Sequence, residues 1–93
     1  MPSFKTAHIR EQGQDMIIFP LDNSFGSKSS SDQSDALTDL EFRANAAGLA
    51  GHAAAVWESG NRTYSLGPRP WQGFLQSISM RWVWLNVNKE ISW

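Results

Sequence analysis

Ninety-three residues with a mass of 10.4 kDa make a single small domain, residues 1–93, near the size at which one core holds a fold unaided. Eight Lys and Arg against nine Asp and Glu leave a formal charge of −1, so no strong field draws the chain to phosphate or to an anionic membrane. The sequence has no cysteine, which excludes disulfides, thiolate zinc sites, iron–sulfur clusters and a cysteine nucleophile.

The first residues carry no apolar stretch of the length a secretory signal needs. No run of about 18 apolar residues occurs anywhere, so a cytoplasmic protein without a membrane span is expected. Asn61-Arg62-Thr63 matches a glycosylation sequon and reads as an ordinary turn in that setting.

In chain order, Phe4 to Glu11 and Met16 to Leu21 read as two strands around Gln12-Gly13-Gln14. Residues 22–35 contain six Ser and three Asp, with Phe25 as the one large apolar side chain, and read as a flexible loop. Gly26-Ser27-Lys28-Ser29 lacks the first glycine and the Gly-Lys step of a phosphate-binding loop. A helix follows from Ser31 or Ser34. Leu37, Leu40, Ala44 and Ala47 form its apolar stripe, and Gly48-Leu49 is its stop. Phe42 falls off that stripe.

A second hairpin, Ala53 to Glu58 and Thr63 to Leu66, turns at Ser59-Gly60-Asn61. Ala7–Gln14 aligns with Ala54–Asn61 at an offset of 47 residues, which suggests a repeated half. After Gly67-Pro-Arg-Pro-Trp71 a second helix is expected, with Trp71, Phe74, Leu75, Ile78, Trp82 and Leu85 at helical spacing. Its rival is a strand through Met80–Leu85, favoured by β-branched and aromatic residues.

The expected fold is α+β: a two-layer sandwich with a ββα-ββα pseudo-repeat, and a four-stranded antiparallel sheet with both helices on one face. Pro20 cannot donate to a ladder, which puts the second strand at an edge and gives the order 2-1-3-4. His8 and Arg10 would then lie on the open face of the sheet.

The last helix carries the functional expectation. Wound at about 100° per residue, it sets Trp71, Phe74, Ile78, Trp82 and Leu85 on one side, and Met80, Val83, Trp84, Val87 and Ile91 on the other. The second apolar side needs cover, and four of the five tryptophans follow residue 70. The expectation is a non-catalytic protein-interaction domain, first of all a homodimer. Its contact surface is Met80, Trp84, Val87, Ile91 and Trp93, with Phe42. The alternative is a nucleic-acid-binding accessory protein, using Arg62, Arg69 and Arg81 beside Trp57 and Trp71. Residues 49–93 are net basic by two, yet three spread arginines make no stripe. The only imidazoles are His8 and His52. Strand alternation puts Glu11 on the opposite face from His8, so no catalytic pair, metal site or cofactor is expected.

Overall fold

The computed structural model describes residues 3–11 and 13–92. Trp93 therefore lies outside the described residues. Strands β1 (Ser3–Glu11) and β2 (Gln14–Pro20) form the first hairpin. A short 3-10 helix (Asn23–Ser27) leads to α1 (Ser30–Ala46). β3 (His52–Ser59) and β4 (Arg62–Leu66) form the second hairpin, with Gly60 at φ 62° in its turn. A 3-10 turn (Arg69–Trp71) is followed by α2 (Gln72–Ser77), α3 (Met80–Leu85) and β5 (Lys89–Ser92).

The protein is α+β with one mixed five-stranded sheet, ordered β4-β3-β2-β1-β5. Both hairpins form as the turn residues predict, but they join in parallel through β2 and β3, not in an all-antiparallel sheet. The cause is the long connection between them. It holds α1, and a crossover of that kind returns the chain parallel to the strand it left.

β2 is therefore interior, although it ends in Pro20. Leu21 N–H donates to Val56 O at 2.9 Å, so by alternation the proline nitrogen faces β1. The β1–β2 ladder ends at Ala7 opposite Ile18, before that height. No ladder partner is lost, and the edge position expected from Pro20 is not needed.

Helices cover both faces of the sheet, which overturns the two-layer expectation. Ile17, Phe19 and Ala53 pack with Leu40 and Ala44 of α1 on one face. Met16, Ile18, Ala54 and Val56 pack with Trp71, Leu75 and Val83 on the other. Met16–Pro20 and Ala53–Trp57 are unbroken buried runs, the pattern of strands covered on both sides. His8, expected on an open face, is half-buried, and its Nε2 lies 3.0 Å from Ala50 O.

α1 starts one residue after its cap. The Ser29 hydroxyl accepts from Asp32 N–H at 3.1 Å. Its end is as expected: Leu49 N–H reaches back to Ala44 O at 3.0 Å and the Leu49 side chain is buried. Residues 22–35, read as a loop, instead supply the 3-10 helix and the first turns of α1, with Phe25 buried.

The single C-terminal helix is also corrected. Ile78 is extended, at φ −101° and ψ 156°. Ser77 donates its hydroxyl to Phe74 O at 2.6 Å, and Ser79 accepts from Trp82 N–H at 3.1 Å. These local bonds end one helix and cap the next. Residues 80–85 are helix and residues 89–92 are strand. Two hairpins are present, but their closing pairs, Glu11–Gln14 and Ser59–Arg62, lie 48 residues apart, so the residues aligned at an offset of 47 are one position out of register, and after the hairpins the likeness ends.

Candidate functional site

The break in the C-terminal segment redistributes the residues expected to form one surface. Met80 is half-buried and packs against the core. Val83, wound to the outer side, is fully buried, while Leu85, wound to the inner side, is 73% exposed. Ile91 belongs to β5 and is buried among Ile17, Phe19 and Leu40, so it is no part of a surface. Val87 is half-buried in the link to β5. Phe42 is exposed, but it stands on α1, across the sheet from α3. Of the expected contact residues in α3, Trp84 remains outward, half-exposed, with Leu85 beside it.

Trp84 lies on the rim of a cavity of about 680 Å³ at one end of the sheet. That end collects the start of β1, the end of β2 and the end of β5. Its apolar wall is Phe4, Pro20, Leu21, Phe25, Leu40 and Trp84. Phe4 is held by an edge contact on Phe19, with ring centroids 6.4 Å apart. Phe25 is held by Trp57 at 4.8 Å. The groove wraps from the α1 layer round to the α3 layer, a junction that sequence spacing alone does not reveal.

Charged groups of both signs rim it: Lys5, Lys28, Asp22, Asp39 and Glu90. Asp39 is engaged by Arg43 at 3.0 Å, and Asp22 caps the 3-10 helix through Ser24 N–H and its hydroxyl. Lys5 stands opposite Glu90 in the β1–β5 ladder, an opposite-charge pair across strands. The rim is balanced, and the wall is aromatic and aliphatic. A volume of this size, mostly apolar with a few polar groups, suits an apolar or aromatic side chain or a small apolar molecule.

The residues of the other readings lie elsewhere. Arg62 is on β4, Arg69 in the 3-10 turn and Arg81 on α3, all exposed. Trp57 and Trp71, the rings that base stacking would need, are buried, and Trp71 Nε1 donates to Gln14 Oε1 at 3.3 Å. His52 Nδ1 lies 3.4 Å from Glu41 Oε1, which accepts from Ala53 N–H at 2.7 Å. Among the described residues, no three His, Asp or Glu side chains are grouped to hold a metal ion. No described helix is long and apolar enough to cross a membrane.

No family model, no curated protein and no solved structure matches this chain.

Proposed function

We propose that the chain is a small non-catalytic interaction domain that holds an apolar anchor of a partner polypeptide in the groove beside Trp84. The observation that carries this reading is the half-exposed Trp84 on the rim of a 680 Å³ apolar groove, with Leu85 exposed next to it. Large aromatic side chains left in water beside an apolar hollow favour association, because closing the hollow removes both from solvent. Tryptophan at such a place contributes much of a binding energy with few torsions to freeze. The balanced rim would tolerate a partner of either charge. Neither histidine lines the groove: His8 lies against Ala50 O and His52 beside Glu41.

The test is selection of phage-displayed peptides on the folded domain. Enriched peptides should share an apolar or aromatic anchor. They should lose about thirtyfold or more in affinity for the Trp84→Ala variant, the equivalent of about 2 kcal/mol. Enriched peptides that bind this variant as tightly, or no enrichment at all, overturn the reading.

A further inference from the structure

The sheet has two edges, and they differ. β5 is four residues long and carries Lys89 and Glu90, while β4 is Arg62-Thr-Tyr-Ser-Leu66 with one charge. Short length and charge are the usual protections of an edge, and β4 is rich in strand-forming Thr and Tyr. Its first three residues are exposed.

The backbone of β4 has a definite polarity. Ser59 stands opposite Arg62 across a two-residue turn, and that closing pair exchanges hydrogen bonds in such hairpins. By alternation, Arg62, Tyr64 and Leu66 address β3. Thr63 and Ser65 turn their N–H and C=O groups outward, away from the sheet. Side chains alternate the other way. Tyr64 lies with Trp57, rings 6.0 Å apart and 17° from parallel, and Phe25 meets Trp57 in an edge contact at 4.8 Å.

We propose that β4 joins β4 of a second copy, antiparallel, about a two-fold axis at Tyr64. Only this register sets Thr63 against Ser65 of the second copy, and Ser65 against its Thr63, so that all four outward groups are used. Arg62, the one charge of the strand, then faces Leu66 of the second copy, and no like charges meet. Tyr64 faces its own counterpart in a non-hydrogen-bonded pair, where side chains come closest. The row Phe25–Trp57–Tyr64 continues across the axis into the same row reversed. Two five-stranded sheets become one of ten. The contact is isologous and closes on itself, leaving a dimer rather than a fibre. The paired strand Arg62–Leu66 does not line the groove, which borders β5 at the other edge; Phe25, at the buried end of the aromatic row, is the residue the two share.

The absence of cysteine provides the test. In the proposed pair the two Tyr64 Cα atoms are about 4.5 Å apart, within the roughly 4.4–6.8 Å that a disulfide spans. The full chain is run on size exclusion with light scattering at several concentrations, and a mass twice 10.4 kDa is expected at the upper end. The Tyr64→Cys variant, mildly oxidised, should convert to cross-linked dimer. Leu85→Cys should not. Ser65→Pro removes an outward N–H that the monomer does not use, and should give a folded monomer by circular dichroism. Tyr64→Lys sets two cations at the axis, and should also give a monomer if the proline variant fails to fold. A wild-type mass of 10.4 kDa at every concentration overturns the proposal. So does a dimer that survives Tyr64→Lys. A dimer abolished by Trp84→Ala but retained by Tyr64→Lys would place the contact in the groove. Peptide binding that persists in the Tyr64→Lys variant keeps the groove reading independent of this one.

Discussion

Asn88 closes on His8 with two hydrogen bonds, its Nδ2 donating to His8 O and its Oδ1 accepting from His8 N–H, each at 2.9 Å. The residues are 80 apart in the chain, and the side-chain amide does the work of a strand residue. β5 pairs with β1 from Thr6 to Ser3, so the backbone of His8 lies just past the ladder. Asn88 N–H also donates to Thr6 O at 3.1 Å, which sets the chain against β1 one residue before the edge strand begins at Lys89.

Replacing Asn88 by Ala should therefore loosen β5 without touching the core. Two exposed bonds at about 0.5–1.5 kcal/mol each give a loss of about 1–3 kcal/mol in urea unfolding. The His8 amide should exchange its hydrogen faster in the same variant, by native-state exchange measurements. An unchanged His8 amide would mean that the side-chain pairing does not form in solution.

Leu75 and Leu85 separate the broken segment from a continuous helix. Helical winding sets both on the core side, yet Leu75 is 1% exposed and Leu85 is 73% exposed. Leu75→Ala should cost about 2–5 kcal/mol, as for a buried leucine with little room to collapse. Leu85→Ala should stay within about 0.5 kcal/mol. Equal losses in the two variants would restore the single helix.

The contrast shows what the chain makes legible. Hairpin turns are local, and Gly13, Gly60 and the flanking apolar residues reveal them without further context. The end of α1 at Gly48-Leu49 is likewise local. The parallel join of β2 to β3 is not local, because it depends on where α1 lays the chain down. One signal was nevertheless present: Met16–Pro20 and Ala53–Trp57 do not alternate, as strands with one wet face would. The break at Ile78 was also signalled, by serines at 77 and 79, but six apolar residues at helical spacing outweighed it. The groove beside Trp84 draws on β1, β2, α1, α3 and β5, and no periodicity within one element can announce it.

Ser79 should accordingly matter more than Ser77. Its hydroxyl caps α3 through Trp82 N–H, and loss of such a cap costs about 0.5–2 kcal/mol. Ser77 donates to Phe74 O at a helix end that is already exposed to water. Urea unfolding of Ser79→Ala and Ser77→Ala should rank them in that order. Because α3 carries Trp84, peptides selected on the groove should also bind Ser79→Ala more weakly. A Ser77→Ala variant that is the less stable of the two would remove the capping account.

Gly26 tests the aromatic row from its buried end. A methyl group built on Gly26 would lie 2.7 Å from Trp57 Nε1, closer than real contacts allow, and 3.2 Å from Cδ1, a tight approach. Trp57 cannot easily yield. Phe25 holds one side at 4.8 Å, Tyr64 stacks on it at 6.0 Å, and the ring is 6% exposed. Gly26→Ala should therefore overpack the site and cost about 1–3 kcal/mol, with the near-ultraviolet circular dichroism of the tryptophans altered. The expected relief is specific. Adding Trp57→Phe removes the indole nitrogen that the methyl group strikes, so the second change should cost less in the Gly26→Ala background than in the wild type. That difference is read from a double-mutant cycle in urea. Simple additivity would show that the 3-10 helix shifts as a unit and that the close approach of Gly26 does not hold Trp57 in place.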